Sequence, residues 1–347
     1  MILVLRVRAD GTIFISIASY RDNLLEFTLK QAYAMATNKK NLVFGVVEQA
    51  TEEEALKLDS LKFKDQIRYI RVDPEYSRGC CWARSLVQSL YQGEDYFLQI
   101  DSHTAFEADW DKTLILRLKY LLQHHEKPVI TNYPNGLQFD ADGNAIKIQP
   151  KIANNIMGVL LAPPLNEPTF ANKDAGFIIS RSTAVETIQE YVFGFFLSAG
   201  GLFTIGKVVE DVPYDPYLMF GGEEPSLALR LFTSGYNIFH IRKMPLFHLY
   251  TDHEKRTRKL FWDKSENENR NGFSASQIQI KSDKRLPLIL TDKLSGVYGL
   301  GKVRTLEDYR IFSGIDYLNR SYKPSDIWRM DHKTDVDRLL KRERGKL

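Results

Sequence analysis

The stretch that decides the fold is residues 93–103, GEDYFLQIDSH. Its middle part, 96–100, is a short apolar run that is typical of a buried strand. Asp101 and His103 follow directly after this predicted strand. In open α/β sheets, ligands bind just beyond the carboxyl ends of the strands. We therefore expect both side chains at an edge of the sheet where a ligand binds.

The sequence around this stretch alternates between apolar runs and segments with helical spacing. Runs at 12–18 and 42–47 predict buried strands, and Trp82, Leu86 and Leu90 recur every four residues, as one face of a helix does. Strands that alternate with helices indicate a sheet covered on both faces. The sequence therefore predicts an α/β fold with a mostly parallel central sheet.

The pattern changes in the second third of the chain. Proline and glycine turns between 134 and 168 predict the junction of two lobes. A strand is predicted at 175–180. Thr183 and Glu186 have the spacing of a capping box, which predicts the start of a helix.

The bulk composition is that of an ordinary globular protein. The 347 residues are 44% hydrophobic and 26% charged, which argues against a disordered or fibrous chain. The formal net charge is only +3, so it does not indicate a nucleic-acid-binding protein. No run of about 18 uncharged apolar residues occurs, and we predict no integral membrane segment.

The two cysteines, Cys80 and Cys81, are neighbours in the sequence. Neighbouring Cα atoms lie about 3.8 Å apart, which is shorter than ordinary disulfide geometry accepts. The absence of a disulfide framework favours a reducing compartment. Residues 1–11 lack the features of a signal peptide, so we predict a cytoplasmic location.

Asp101 and His103 are candidate metal ligands. Side chains two residues apart on extended backbone point the same way, and a carboxylate with an imidazole suits Mn²⁺ or a similar divalent ion. The alternative is that Asp101 caps the turn and His103 is a surface loop residue. Among the seven histidines, His248 is placed to enter such a site from the second lobe, whereas His240 falls within a predicted strand and favours a core position.

A second candidate stretch is FGGEEP, residues 220–225. Its two glycines would let the backbone come close to a ligand. Glu223 and Glu224 stand at the N-terminus of a predicted helix, where the helix dipole favours negative charge in any case. Either carboxylate could therefore act on a substrate or only stabilise the helix.

Basic side chains accompany both stretches. Arg78 and Arg84 precede the strand that ends at Asp101, and arginines there could hold a diphosphate bidentately. Arg258 lies in a charged segment, 251–271, that is poor in core residues. Such a segment could close as a lid over an anionic substrate or be a plain charged surface.

Together these residues resemble a known family. The segment RGCCWARSLVQSLYQGEDYFLQIDSHTAFEADWD, with SIASYRD before it and DAGFIISR and FGGEEPSLALRLFTSGYNIF after it, looks like the UDP-GlcNAc:polypeptide α-N-acetylglucosaminyltransferases, which include enzymes that modify hydroxyproline. A more distant similarity is to the polypeptide N-acetylgalactosaminyltransferases, which share a D-S-H metal motif and a G-G-E helix start. In that family a histidine downstream of the G-G-E glutamate is the third metal ligand, and His248 stands at that spacing after Glu223.

The resemblance implies a GT-A (Rossmann-like) fold with a C-terminal extension. It also implies a retaining glycosyltransferase that uses a divalent cation, Mn²⁺ or Mg²⁺. Such an enzyme moves a sugar, GlcNAc first of all, from a UDP-sugar donor to a hydroxyl acceptor, which could be on a protein. The retention mechanism, by a covalent intermediate or by same-face attack, stays open.

Carried over residue by residue, the resemblance assigns roles to most of the candidates. The implied metal ligands are Asp101, His103 and His248. The implied nucleotide and diphosphate contacts are Ser19, Tyr20, Arg21, Arg78, Arg84, Asp101 and Ser102. Gly176 and Glu223 would line the sugar and acceptor pocket, and Glu223, then Glu224, would flank the reacting carbon. Glu48 ends the second predicted strand where an aromatic or neutral polar residue is expected, which leaves the uracil contact there open.

On this basis we divide the chain into three parts. Residues 1–135 are predicted to be the nucleotide-sugar-binding half, 136–255 the acceptor and catalytic half, and 256–347 a basic lid segment with a C-terminal extension. Three alternatives remain: a UDP-galactose, UDP-GalNAc or UDP-glucose transferase acting on a glycan or lipid, a metal-dependent pyrophosphate or phosphodiester hydrolase, and a non-catalytic sugar-nucleotide-binding protein.

Overall fold

A computed structural model describes residues 11–149, 153–163, 176–250, 258–268 and 274–346. The helices are α1 (Leu25–Met35), α2 (Cys80–Gln88), α3 (Trp110–Leu121), α4 (Val208–Asp211), α5 (Glu223–Thr233), α6 (Lys264–Glu268), α7 (Ala275–Leu290), α8 (Leu306–Ser313) and α9 (Val336–Arg344). The first eight strands are β1 (Ile13–Tyr20), β2 (Leu42–Gln49), β3 (Ile67–Val72), β4 (Tyr96–Asp101), β5 (Thr104–Phe106), β6 (Pro128–Thr131), β7 (Asn135–Phe139) and β8 (Ala145–Ile148). The others are β9 (Ile156–Leu161), β10 (Arg181–Glu186), β11 (Tyr191–Gly194), β12 (Gly201–Ile205), β13 (Asn237–Ile241), β14 (Leu246–His248), β15 (Ile315–Asp316) and β16 (Ser321–Tyr322).

An eight-stranded sheet forms the centre, in the order β11-β13-β6-β12-β4-β1-β2-β3. The half built from β4, β1, β2 and β3 is parallel throughout. In the other half β6 and β13 are parallel, whereas β12 runs antiparallel to β4 and β6, and β11 runs antiparallel to β13. The predicted α/β class with a large central sheet is confirmed, and the antiparallel strands make this sheet mixed.

The inner strands of the parallel half, β1, β2 and β4, are mostly apolar because both of their faces are covered. All but two residues of β1 are buried, and helix α2 packs against β1 and β2. Strands buried on both faces read as nearly continuous apolar runs, which is why the sequence predicts them well. Gly45 in β2 meets a close approach, because a Cβ there would overlap the ring of Phe14 in β1.

Two local predictions in the second lobe are wrong. Thr183 and Glu186 do not start a helix, since 181–186 form β10, which pairs antiparallel with β9. Residues 176–180 contain only an isolated bridge instead of the predicted strand, and Ala175 lies outside the described residues. Pairing with β9 supplies the backbone hydrogen bonds of 181–186, so tertiary context overrides the local helix signal.

The C-terminal part of the chain, from α7 onward, is largely helical and packs against α5. Helices α7 and α8 both pack against α5, and α9 packs against α8. Gly222, which precedes α5, has φ +85° and faces Leu286 of α7, where a Cβ would overlap the leucine side chain. Within the ranges that the structure describes, no helix is long and apolar enough to cross a membrane.

His240 is a completely buried histidine in β13. Its Nδ1 lies 2.8 Å from the carbonyl oxygen of Thr131 and therefore carries the proton, and its Nε2 has no hydrogen-bond partner in the described part of the chain. Burial lowers the pKa of His240 to about 4. The neutral ring thus stabilises the fold fully above pH 6.5, and this contribution, about 3 kcal/mol, is lost as the pH falls from 6.5 to about 4.

We expect the melting temperature to fall more steeply below pH 6.5 in the wild type than in His240→Asn. The asparagine amide retains a donor for Thr131 but takes up no proton. Thermal denaturation between pH 7.5 and 5 measures the difference, with the exposed His124→Asn as the matched control. Equal pH slopes for wild type and His240→Asn would contradict the assignment.

Candidate active site

The three predicted metal ligands lie together at the carboxyl edge of the central sheet. Asp101 is the last residue of β4, and His103 follows in the turn to β5. Strand β14 pairs antiparallel with β5, which places His248 opposite Thr104. One donor atom from each of Asp101, His103 and His248 lies within 4.8 Å of the other two. Strand pairing therefore brings the distant histidine to the sheet edge.

Hydrogen bonds fix the orientation of these ligands. His103 Nδ1 lies 2.7 Å from Asp22 Oδ2, and His248 Nε2 lies 3.0 Å from Asp101 Oδ2. His248 Nδ1 is buried and has no partner within the described ranges. For His103, the Asp22 carboxylate on one ring nitrogen is the usual outer-shell arrangement of a ligating histidine. One carboxylate and two imidazoles are a donor set that suits a divalent transition-metal ion, so these residues fit the predicted cation.

Asp101 is held in its ionised form. Burial by itself would raise the pKa of Asp101, but the hydrogen bond from His248 and the charge of Arg84 outweigh burial and hold this pKa well below its usual range. A second cation lies close by, because Arg258 Nη1 is 2.6 Å from His103 Nε2. The site therefore combines an anionic ligand with two arginines.

Arg84 links the two stretches that the sequence singles out. Its buried guanidinium donates from Nη2 to Asp101 Oδ1 at 2.7 Å and from Nη1 to Glu223 Oε1 at 2.6 Å. The Nη1 group also contacts the Tyr214 hydroxyl at 3.0 Å, and this hydroxyl donates to Glu223. Both Nη groups of Arg84 are thus engaged by protein carboxylates, as expected of a residue that positions Asp101.

Glu223 and Glu224 have different surroundings although they are neighbours at the start of α5. Glu223 is almost completely buried and is bound by Arg84 and Tyr214. Glu224 is partly exposed; its Oε1 accepts the Ala199 N–H at 2.8 Å, and its Oε2 lies 3.5 Å from the Tyr133 hydroxyl. Burial raises the pKa of Glu224 to about 7. Of the two carboxylates, Glu224 is the one less committed to other protein groups.

Two pockets adjoin the cluster of Asp101, His103 and His248, which we call the ligand cluster. The larger, of about 670 Å³, is lined among others by Asp101, His248, Glu223, Glu224, Tyr133 and Phe177. The smaller, of about 140 Å³, is lined among others by Tyr20, Gln49, Ser102, His103, Phe261 and Trp262. Ala18, Cys80 and Phe220 line both pockets. The arrangement can hold the anionic group of a ligand at the cluster, with one part of that ligand in the larger pocket and another part in the smaller pocket.

Comparison with known families identifies the chain. The profile of a family described as Glycosyltransferase (GlcNAc) matches residues 12–64 and 50–319, a span that includes the ligand cluster and the start of α5. The chain belongs to this glycosyltransferase family. No curated protein sequence matches it significantly.

The fold is similar to that of a solved structure, GalNAc-T7. The crystal structure of GalNAc-T7 with UDP, GalNAc and Mn²⁺ matches 90% of this chain and 55% of its own, with a TM-score of 0.51 and 13% identity. S. aureus TarS 1–349 matches 69% of this chain and 60% of its own, with a TM-score of 0.43 and 11% identity. The chain thus spans little more than half of each. The predicted GT-A fold is confirmed.

The three residues predicted to contact the nucleotide, Ser19, Tyr20 and Arg21, have different surroundings in the structure. Tyr20 lines the smaller pocket, whereas Ser19 is buried in β1. Arg21 forms ion pairs with Glu54 at 2.5 Å and with Glu266 at 3.0 Å, so acidic side chains of the protein already hold its guanidinium. Of the three, Tyr20 is therefore best placed to contact a ligand.

The other predicted contact residues also differ in their placement. Ser102 lines the smaller pocket and donates its hydroxyl hydrogen to Asp22 Oδ2 at 2.7 Å. Arg78 is exposed, and it lines neither of the two pockets that the described residues form here. Gly176 has φ +64° and packs against the guanidinium of Arg320, while its neighbour Phe177 lines the larger pocket.

The end of β2 accounts for the unexpected Glu48. Its buried carboxylate accepts hydrogen bonds from the Tyr69 hydroxyl at 2.5 Å and the Leu56 N–H at 2.9 Å, and burial raises the pKa of Glu48. The next residue, Gln49, lines the smaller pocket instead. Because neighbouring strand residues point to opposite faces, the pocket receives the neutral polar side chain that the family resemblance leads one to expect.

Two residues that sequence reasoning did not single out support the ligand cluster. The Asp22 carboxylate accepts one hydrogen bond from His103 and one from Ser102. A signal for it existed, since Asp22 follows β1, and β1 pairs with β4 in the register Ala18 to Asp101. Gly200 left no such signal: a Cβ there would lie 2.7 Å from Asp101 Oδ2, a contact that only the tertiary fold creates.

Gly200→Ala is expected to lower the transfer rate about 10²-fold, because the added methyl displaces the Asp101 carboxylate by a fraction of an ångström or more. Gly200 has no left-handed φ, so the alanine causes no backbone strain and the melting temperature should change little. Initial rates and thermal denaturation of this variant and of the control Gly345→Ala, near the C-terminus, measure both effects. A Gly200→Ala enzyme with the wild-type rate would refute the close approach.

Proposed function

We propose that this glycosyltransferase moves a sugar from a UDP-sugar to a hydroxyl acceptor with the help of a divalent cation. The observation that carries the proposal is that Asp101, His103 and His248 converge beside a pocket lined by Glu223 and Glu224. GalNAc-T7, which shares the fold, was solved with UDP, GalNAc and Mn²⁺. This supports, by analogy, a UDP-sugar donor and Mn²⁺ or Mg²⁺ in the present chain.

Each residue of the cluster has a distinct part in this proposal. A divalent cation held by Asp101, His103 and His248 would act as a Lewis acid toward the diphosphate of the leaving UDP. Asp22 orients His103 by accepting its Nδ1–H, and Arg84 fixes the Asp101 carboxylate. These contacts pre-organise the ligands, which lowers the cost of assembling the site when the donor binds.

The smaller pocket is the proposed nucleotide site. Its aromatic side chains, Tyr20, Phe261 and Trp262, offer apolar ring surface for a flat base, and Gln49 adds a neutral polar edge. Most of its walls come from residues 1–135, the proposed nucleotide-sugar-binding half, while 258–262 cover it from the C-terminal part. The larger pocket then receives the donor sugar and the acceptor, largely from 136–255.

We assign different roles to the carboxylates of Glu224 and Glu223. Glu224 faces the larger pocket with one oxygen away from strong protein donors, so we place it beside the reacting carbon, where it stabilises the positive charge that develops in the transition state. Glu223 is bound by Arg84 and Tyr214 and acts as a positioning residue. The contacts thus favour the reverse of the order that the sequence predicts. Both retaining routes remain compatible with this arrangement.

Within this class we propose GlcNAc as the sugar and a protein hydroxyl as the acceptor. The family description names GlcNAc, and the sequence resembles transferases that act on hydroxyproline. We also propose a reducing, cytoplasmic setting, which the two free cysteines at the site support. A UDP-Gal, UDP-GalNAc or UDP-Glc transferase acting on a glycan or lipid is the alternative.

A panel of UDP-GlcNAc, UDP-GalNAc, UDP-galactose and UDP-glucose, each with Mn²⁺ and with excess chelator, tests the proposal. We expect slow UDP release, fastest with UDP-GlcNAc and abolished by the chelator, and NMR of the sugar product should show a retained anomeric configuration. Release of UMP and sugar phosphate instead would favour the hydrolase alternative. Donor binding without turnover of any donor would favour a non-catalytic protein.

A further inference from the structure

A second group of possible metal ligands lies next to the proposed donor site. One donor atom from each of Cys80, Cys81 and Glu223 lies within 4.8 Å of the other two. The two Sγ atoms are 3.8 Å apart, and Cys80 Sγ is 3.3 Å from Glu223 Oε2. A tetrahedral Zn²⁺ ion with Zn–S bonds of about 2.3 Å holds two thiolates about 3.8 Å apart. The thiols therefore already have the spacing that such an ion requires.

The fold makes this group both rigid and accessible. The two cysteines form the start of α2, after Gly79 with φ +95°, and Glu223 starts α5. Cys80 lines both pockets, which gives an ion a route from solvent. Cys81 is buried, and its Sγ lies 3.2 Å from the carbonyl oxygen of Met219. This oxygen is close enough to serve as the fourth ligand of a tetrahedral ion.

The chemistry of the group selects among cations. Thiolates favour soft ions, whereas Mg²⁺ and Mn²⁺ are harder ions that bind thiolates weakly, so the cation proposed for transfer does not compete well here. Binding of a soft ion must displace the thiol protons. Because these protons must leave, binding becomes stronger as the pH rises.

We propose that Cys80, Cys81 and Glu223 form an inhibitory site for thiophilic divalent cations of the Zn²⁺ and Cd²⁺ class. An ion there binds Oε2 of Glu223, on the side of Cys80, and draws charge from the carboxylate whose Oε1 accepts from Arg84 at 2.6 Å; its binding releases about two thiol protons. Arg84 also holds Asp101, so occupation of the thiol site disturbs the neighbouring ligand cluster. The inhibition rests on the proposed transferase function, whereas the binding itself does not.

Titration of the full chain with Cd²⁺ in the presence of saturating Mn²⁺ tests the site. The chain contains two cysteines, so a thiolate-to-cadmium charge-transfer band in the ultraviolet can arise only from Cys80 and Cys81. We expect the band to saturate at one Cd²⁺ per chain, with proton release and loss of UDP release from UDP-GlcNAc. In Cys80→Ser and Cys81→Ser the Cd²⁺ affinity should fall by more than the 10–100-fold that is typical of lost outer-shell partners.

Matched measurements separate this site from the proposed catalytic one. His248→Gln should lose transfer but retain the Cd²⁺ band, because His248 does not contact the thiols. Inhibition is expressed against each variant's own rate without Cd²⁺.

Inhibition without a thiolate band, a saturated band that is unchanged in Cys81→Ser, or no band at all would each overturn the proposal. If a serine variant fails to fold, the wild-type band and proton release still decide. A band in a chain that transfers no sugar would refute the proposed function and leave the metal site standing.

Discussion

Asp101→Asn is expected to reduce sugar transfer about 10³-fold or more, which corresponds to the several kcal/mol that a metal ligand contributes to charge stabilisation. The amide removes the negative charge that the cation would neutralise. It keeps a carbonyl oxygen in the place of Oδ1, which accepts from Arg84 at 2.7 Å, so the chain should still fold, with a lower melting temperature because the buried Arg84 loses one anion. UDP release from UDP-GlcNAc at saturating Mn²⁺ gives the rate, and thermal denaturation reports the fold.

Asp59→Asn is the matched control for this experiment, because the Asp59 side chain is 93% exposed and Asp59 precedes Asp101 by 42 positions in the sequence. Its rate and melting temperature should both equal those of the wild type. An Asp101→Asn enzyme that turns over at the wild-type rate, or wild-type turnover that continues in excess chelator, would remove the metal from the mechanism.

Glu224→Gln is expected to lower kcat by about 10²–10³-fold, as the loss of one preorganised electrostatic group typically does. Glutamine has the same shape, and its carbonyl oxygen can still accept the Ala199 N–H that Glu224 Oε1 accepts at 2.8 Å. The change therefore removes the charge with little effect on packing, and the KM for the donor should move far less than kcat. Steady-state rates as a function of UDP-GlcNAc concentration separate the two.

The pH dependence provides an independent test of Glu224. Burial raises its pKa to about 7, so the carboxylate is largely protonated below pH 7 and largely ionised above it. If the ionised form stabilises the transition state, kcat rises with pH through about 7 and then levels off, and this rise is absent in Glu224→Gln.

Glu223→Gln is the comparison variant for these measurements. It leaves the buried Arg84 with one fewer anion, so its melting temperature should fall, which is the mark of a positioning residue. Full activity in Glu224→Gln, together with an inactive but fully stable Glu223→Gln, would restore the order that the sequence predicts.

The inner strands of the parallel half could be predicted from the sequence because they are buried on both faces. Strands β1, β2 and β4 read as nearly continuous apolar runs, and the polar residues at and beyond their ends mark the carboxyl edge of the sheet. Asp101 and His103 needed only this local pattern to be placed at that edge. The position of His248 in the sequence made it one candidate, and the family resemblance was needed to prefer it as the third ligand.

The second lobe was harder to predict because its strands are short or lie at an edge. In β10 only Val185 is buried, so no apolar periodicity opposed the capping-box spacing of Thr183 and Glu186. The pairing with β9 that decides its conformation joins residues that are 20 to 30 positions apart in sequence, and local patterns do not encode such pairing.

By itself the sequence determined the fold class and the glycosyltransferase family and singled out the candidate metal ligands, because burial and spacing are local properties that a linear pattern records. Only the tertiary structure decided which groups are already engaged. It showed that Arg84 joins Asp101 to Glu223, that Glu224 rather than Glu223 retains free capacity toward the pocket, and that Gly200 approaches the Asp101 carboxylate. These are contacts between residues tens to more than a hundred positions apart, and their energies depend on distances of a few ångströms that no one-dimensional pattern contains.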